Sequence, residues 1–435
     1  AYDVARAVFW PGGTPVGEGD LLAQPDLAGT LKTLAEQGPD AFYTGDIAGA
    51  IVEAQLNARS TDDLGEPIGA ADREKLRGRM TLEDLAAYRV AYRRPVSGSY
   101  RGLKIVSMPP PSSGGLTAIQ ILKLMERFPI GSQRHGFGFG SVRTLNVMIE
   151  SMRLAFQDRG VWMGDDDFVD VPSRGLLDAR YIRARSALID PDSRQAEVGP
   201  DDPRPFERRG RKRRIRKSGL ADDEGLNTTH FTVTDRHGNI VTYTSTIESA
   251  WGTGLMVPGY GFLLNNELTD FNRIPAANDD PDAFNPGAND AAPFKRPRSS
   301  MAPTMIFRGR TPIAAYGSPG GSSIINTVVN VTLNLVDHEK PVQEAVDAPR
   351  ISFSSTSTTG GTTLYEQGIE DEVLQALTGL GHAFFRTSLG SVQAIVRDPR
   401  TGRQYGAADK RRIGSTISVR RKEIAPHRDR PNGGD

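Results

Sequence analysis

The sequence predicts a layered α+β domain. Three observations carry that expectation. Residues 1–200 follow helical periodicity, residues beyond 228 alternate like strands, and a stretch dense in charge, 201–225, separates the two textures. A chain of 435 residues is long enough for one large core or for a few smaller ones.

In chain order, Leu27, Leu31 and Leu34 share one face of a helix over 27–38, and Gly38 is its stop signal. Residues 45–58 repeat that pattern. Thr81 followed by Asp84 reads as a capping box opening a helix at 81–90. "GLKIVSMPPPSSGG" (102–115) is a short strand halted by three prolines, followed by a turn rich in hydroxyls and glycine. Amphipathic helices follow at 116–128 and 145–164. Arg208 to Lys217 holds eight basic residues in ten and reads as a solvated loop, because it lacks the interleaved aromatics that stacking on bases needs. "HFTVTD" and "NIVTYTS" form a hairpin through "RHG". Residues 261–266, 304–317 and 391–409 add further strand units, with helices at 323–338 and 370–381 between them.

Composition excludes several function classes. The 53 basic and 53 acidic residues cancel, so no net field favours nucleic acid. There is no cysteine, hence no disulfide, thiol nucleophile or thiolate-bound zinc. No apolar run reaches the roughly 20 residues of a membrane span. The chain opens "AYDVARAVFW" without an initiator Met or a leader pattern, so either a leader has been removed or the chain is a fragment. The six histidines are scattered and suggest no metal site.

"GLNTTHFTVTD" (225–235) holds two threonines at a strand start. Threonine is β-branched and belongs in strands on that ground alone. A cut between Asn227 and Thr228, beside the charged loop, would change its chemistry. Thr228 would gain a free α-amine with a pKa of about 7.7–8.0, a base beside its own hydroxyl.

The run from 227 to 271 resembles the small-subunit start of the gamma-glutamyltransferases, or glutathione hydrolases, which are N-terminal nucleophile hydrolases. "KRPRSSMAPT" (295–304), "GSPGGSSIINTV" (317–328), "AVDAPRIS" (345–352) and "YGAAD" (405–409) are similar to family landmarks in family order. So are "QPDLAGTLKTLAEQGPDAFYTG" (24–45), "PPPSSGG" (109–115) and "AFQDRG" (155–160) upstream. The resemblance implies a four-layer αββα sandwich and self-cleavage of the Asn227–Thr228 bond. It divides the chain into a large-subunit segment, 1–227, with the charged loop 201–227 at its end, and a small catalytic subunit, 228–435, together making one αββα domain.

The same resemblance implies site roles. Thr228 would be the nucleophile and Thr246 its hydroxyl partner. Gly320 and Gly321 would form the oxyanion hole. Glu267 and Asp270 would hold the substrate ammonium, and Ser299 and Ser300 its carboxylate. Glu248 stands where many members carry Asn, and it is expected to face the ammonium too. The expected substrate is a γ-glutamyl amide such as glutathione, with water, an amino acid or a peptide as acceptor, and no cofactor. Glu248 also points to the relatives that act as glutaryl-type β-lactam acylases, and a non-processed, inactive homologue is a further alternative. In the lid region, 272–294, Phe284 is the only ring before Phe294 and no tyrosine occurs, from which a more open pocket that favours hydrolysis over transfer is expected. The family's large subunit begins further upstream and supplies an arginine to the substrate carboxylate; no residue here matches that arginine. The resemblance places the protein in the periplasm or outside the cell, with the cytoplasm as the alternative.

Overall fold

Thr81 accepts a hydrogen bond from the backbone of Asp84, whose carboxylate accepts from the Thr81 N–H, so a capping box fixes where the helix Leu82–Ala87 starts. In the computed structural model, which describes residues 2–58, 69, 78–207, 227–272 and 287–418, similar local rules set the other elements. The amino-terminal helices are α1 (Tyr2–Phe9), α2 (Pro25–Gln37), α3 (Asp40–Thr44), α4 (Asp46–Leu56) and α5 (Leu82–Ala87). Strands β1 (Val96–Tyr100) and β2 (Leu103–Ser107) precede α6 (Gly114–Met125), α7 (Val142–Trp162), α8 (Ser173–Leu177) and α9 (Ala179–Ser186). Then come β3 (Thr228–Thr234), β4 (Ile240–Thr246), β5 (Thr304–Arg308), β6 (Thr311–Gly317), α10 (Ser323–Val336) and α11 (Val342–Asp347). The chain continues through β7 (Ile351–Ser352), β8 (Thr362–Tyr365), α12 (Asp371–Gly379), β9 (Ala383–Arg386), β10 (Gln393–Arg397) and β11 (Gln404–Ala408).

Six strands form an antiparallel sheet in the order β1-β2-β5-β6-β10-β11. Alternation divides its two faces. Ala314, Tyr316 and Ala394 join the main core with Ile121, Met152, Phe156, Val328 and Val331 from α6, α7 and α10. The opposite face meets the β3–β4 hairpin: the His230 ring lies so close to Gly317 that a Cβ there would come within 2.4 Å of it. The described residues thus stack helices, a sheet and a second β layer. A short third sheet, β7-β8-β9, includes one parallel pair, β8 with β9.

Two details differ from the sequence reading. Residues 261–266 form no strand. Only an isolated bridge joins Met256 to Leu263, because the segment folds back on itself through Val257 N–H to Phe262 O and Leu264 N–H to Leu255 O, both 2.9 Å. Phe262 and Leu264 pack on a separate small core with Ile47, Ile51 and Val257. Leu31 faces solvent at 58% exposure, and Thr30 is buried in its place, bonding the Tyr260 carbonyl at 2.8 Å. The basic run 208–217 and Phe284 lie outside the described residues. No helix among the described residues is long and apolar enough to cross a membrane.

Candidate active site

Strand β3 begins with its hydroxyls aligned. Thr228, His230 and Thr232 share its inner face by alternation and pair with Thr246, Thr244 and Thr242 of β4. The Thr228 hydroxyl donates to Thr246 Oγ1 at 3.1 Å. Thr246 Oγ1 also accepts from the Glu248 N–H at 2.8 Å and donates to the Asn227 carbonyl at 3.2 Å. The hydrogen bonds therefore run in one direction, from the Thr228 hydroxyl through Thr246 to the carbonyl just ahead of Thr228.

His230 is buried behind this pair. Its ring nitrogens lie 2.8 Å from Thr244 Oγ1, 3.1 Å from Thr232 Oγ1 and 3.2 Å from Thr242 Oγ1. Burial pushes its pKa down to about 4. Thr228, Thr232, Pro319, Gln393 and Ile413 are among the residues lining a cavity of about 280 Å³. Pro319 leads directly into Gly320 and Gly321.

Both glycines have positive φ, 135° and 56°, and both are buried in the turn that opens α10. At Gly320 the region is closed to other residues, and a Cβ would also lie 2.7 Å from Ser323 Oγ. Ser323 donates through its hydroxyl to Gly320 O at 2.6 Å and fixes the turn. Ser318 Oγ supports the same turn from below by accepting from Ser391 N–H at 2.9 Å. The two glycine amides sit ahead of a 14-residue helix, an arrangement suited to negative charge.

Glu248 is buried with φ of 73°, unusual for a residue with a side chain. Its Oε2 accepts from Ser249 Oγ at 2.7 Å and from the Asn266 amide. Its carboxylate therefore braces the start of the Glu267–Asp270 turn, where both acids are half-buried. From that turn, Asp270 O accepts from Asn289 Nδ2 at 2.6 Å, and Asn289 Oδ1 accepts from the Arg298 N–H at 2.9 Å. Ser299 and Ser300 follow, both buried. A continuous series of contacts thus joins Thr246, Glu248, the acidic turn and the serine pair.

The serine pair is stitched to the "PPPSSGG" turn. Ser113 donates to Ser299 O through its N–H at 2.9 Å and through its hydroxyl at 2.8 Å. Arg159, on α7, donates to Ser113 Oγ and Ser300 Oγ, both at 2.8 Å. The sequence reading did not single out Arg159. Its signal was present: a cation on the face of α7 that otherwise carries Met152 and Phe156, both buried. Among the described residues, the acids Asp165, Asp166 and Asp167 bring their carboxylates together, and Arg93 bonds all three.

Known proteins share this arrangement of chain. The glutathione hydrolase proenzyme of Bacillus subtilis (strain 168) is 38% identical over 420 residues, covering 96% of this chain and 65% of its own. The acylase ACY 1 proenzyme of Pseudomonas sp. (strain SE83) is 35% identical over 426 residues, covering 96% of this chain and 66% of its own. Among solved structures, the cephalosporin acylase from Bacillus halodurans superposes with a TM-score of 0.75 at 25% identity, over 94% of this chain and 65% of that one. The chain therefore spans about two thirds of the length of these relatives. Its α+β architecture is that of the N-terminal nucleophile hydrolases. A model of gamma-glutamyltranspeptidase matches residues 2–419, and with the order of motifs and the fold in agreement, the chain belongs to the gamma-glutamyltranspeptidase family.

Proposed function

We propose that this chain is the catalytic part of an autoprocessing γ-glutamyl hydrolase or transferase with Thr228 as nucleophile. The observation that carries the reading is the one-way hydrogen-bond series from Thr228 through Thr246 to the Asn227 carbonyl. In the precursor, Thr228 Oγ1 attacks the Asn227 carbonyl carbon. Its proton passes to Thr246, and the Thr246 proton passes to the carbonyl oxygen. The intermediate collapses as its hydroxyl proton passes to the leaving nitrogen and the C–N bond breaks, which leaves an ester on Thr228 and frees its α-amine. Water hydrolyses the ester and releases Asn227 as a carboxylate, giving two subunits from one precursor, 1–227 and 228–435.

The new amine then serves as base for the neighbouring hydroxyl. Thr228 Oγ1 attacks the γ-carbonyl of the substrate, the amine takes the hydroxyl proton, and the Gly320 and Gly321 amides face the developing oxyanion. The amine returns the proton to the leaving nitrogen. Water or an amino acid next attacks the acyl-enzyme, again with the amine as base. Glu267 and Asp270 hold the substrate ammonium, and Ser299 and Ser300 hold its carboxylate.

A second reading, hydrolysis of glutaryl amides of β-lactams, is favoured by the likeness to an acylase proenzyme and to a cephalosporin acylase. A glutaryl group keeps the carboxylate and lacks the ammonium, so the serine pair serves both readings and the acidic pair only the first. Turnover of γ-glutamyl-p-nitroanilide against glutaryl-p-nitroanilide separates them. Mass spectrometry tests the step they share. An intact chain with no amino terminus at Thr228 would rule out both and leave the non-processed homologue.

A further inference from the structure

A peptide group is one rigid plane, so whatever grips its carbonyl oxygen also aims the N–H of the next residue. The Gly320 N–H shares a plane with Pro319 O, and the Gly321 N–H shares one with Gly320 O. Both bonds are trans, so oxygen and N–H point opposite ways across each plane. Each of the two oxygens is held by a serine. Ser318 donates through its hydroxyl to Pro319 O at 2.7 Å, and Ser323 donates to Gly320 O at 2.6 Å. Both serines are buried. Glycine puts little torsional restraint on a plane, which leaves much of the setting of these two to the hydroxyls.

The grip of Ser318 has a stiff support behind it. Its oxygen accepts from the Ser391 N–H at 2.9 Å, and an N–H can only donate, so the serine's own proton is left for Pro319 O. Gly390, just before Ser391, packs on the turn so closely that a Cβ there would lie 2.4 Å from Ser318 Oγ. Buried charge pins the loop that carries both residues. Leu389 N–H donates to Glu366 Oε1 at 2.7 Å, Arg350 donates to Leu389 O at 2.6 Å, and Val392 N–H donates to Asp409 Oδ2 at 2.8 Å. Arg350, Glu366 and Asp409 are all buried.

We propose that Ser318 and Ser323 are the positioning residues of the two oxyanion donors: Ser318 aims the Gly320 N–H, and Ser323 aims the Gly321 N–H. Each acts through a peptide plane rather than on the reacting atoms. The inference rests on the role proposed above for Gly320 and Gly321, and it names what gives those amides their direction. Pro319 and Thr228 line the same cavity, so the first of these planes borders the nucleophile's own space.

Ser318→Ala and Ser323→Ala test this in the self-cleaved enzyme, with γ-glutamyl-p-nitroanilide and glutaryl-p-nitroanilide as substrates. In each variant kcat, counted per cut chain, should fall about tenfold while KM stays within about twofold. The double variant should lose about 10²–10³, the cost of one whole donor. Self-cleavage should keep its wild-type rate, since that step uses Thr246. A merely structural role would lower the yield of cut chain and leave kcat per cut chain unchanged, and that result overturns the inference. So does a KM that rises as much as kcat falls, or self-cleavage slowed as much as turnover. Crystal structures of the variants read the planes directly. The Pro319–Gly320 plane should be rotated or split between two settings in Ser318→Ala, and the Gly320–Gly321 plane in Ser323→Ala. Unmoved planes overturn the inference whatever the activity. If one variant fails to fold, the other carries the same test on its own plane. A wild type that stays uncut and turns over neither anilide sinks the proposed function alone, because the crystals still report on the serines.

Discussion

The hydroxyl of Thr228 lies 3.1 Å from Oγ1 of Thr246, directly across the β3–β4 pair, and points its proton at it. Register alone produces the contact, because the first residue of one strand opposes the last of the other. Thr228→Ala should therefore give an intact chain with no amino terminus at residue 228 and no amide turnover. Intact-mass measurement and an anilide assay check both.

Thr246 does two things at once, accepting a hydrogen bond from the Thr228 hydroxyl and donating one to the Asn227 carbonyl. Thr246→Val keeps the shape and removes both. Self-cleavage should slow by about 10²–10³, the cost of losing one oxyanion donor. Thr246→Ser should keep most of the rate. A time course on denaturing gels reads the difference, and equal rates for Val and Ser would exclude the relay.

Gly320→Ala separates maturation from turnover. The new Cβ meets Ser323 Oγ in a backbone region closed to alanine, at a cost of about 1–3 kcal/mol. The chain should still cut itself, since that step uses Thr246. Hydrolysis of added substrate should fall by about 10²–10³.

Glu248 braces the approach to the Glu267–Asp270 turn, so any effect of it on a substrate held by that turn is expected to be indirect. Glu248→Ala takes the acceptor from Ser249 Oγ and the Asn266 amide. Stability should drop by about 1–3 kcal/mol. KM should rise more than kcat falls, because the displaced element is the Glu267–Asp270 turn rather than Thr228. Denaturant titration and steady-state kinetics give the two readouts.

Stability should decline in mild acid. Burial holds the folded His230 near a pKa of about 4, against about 6.5 in the unfolded chain. The unfolded chain thus takes up a proton first as pH falls. The stabilising contribution is complete above about 6.5 and is lost progressively down to about 4, a total on the order of 3 kcal/mol. His338 and His382, also lowered to about 4 by burial, add effects of the same sign. Urea midpoints at pH 7.5 and pH 5 measure the slope, and His230→Gln should flatten part of it.

Periodicity made the long elements legible. Helices α6, α7 and α10 and the hairpins β3–β4, β5–β6 and β10–β11 all lie where the pattern put them. It failed where pairing is short or distant: β7 has two residues, and β8 meets β9 in parallel across an intervening helix. Residues 261–266 carried a strand's composition, but their apolar side chains were needed by the small core around Ile47 and Ile51. At the site, Thr228 and Thr246 were readable because one hairpin brings them together. Arg159 was not, because its meaning depends on residues 113, 159 and 300 converging through separate turns and a helix.

Strand β2 comes from the chain ahead of Thr228 and β5 from the chain after it, and they are hydrogen-bonded neighbours from Lys104–Phe307 to Ser107–Thr304. Scission at 227–228 would therefore leave the halves knitted along a seam in the middle of the sheet. Once melted apart, they would have to find each other by collision, so recovery would depend on concentration where the uncut precursor's would not. Such a molecule is a ratchet: it assembles readily once, as a single thread, and poorly thereafter.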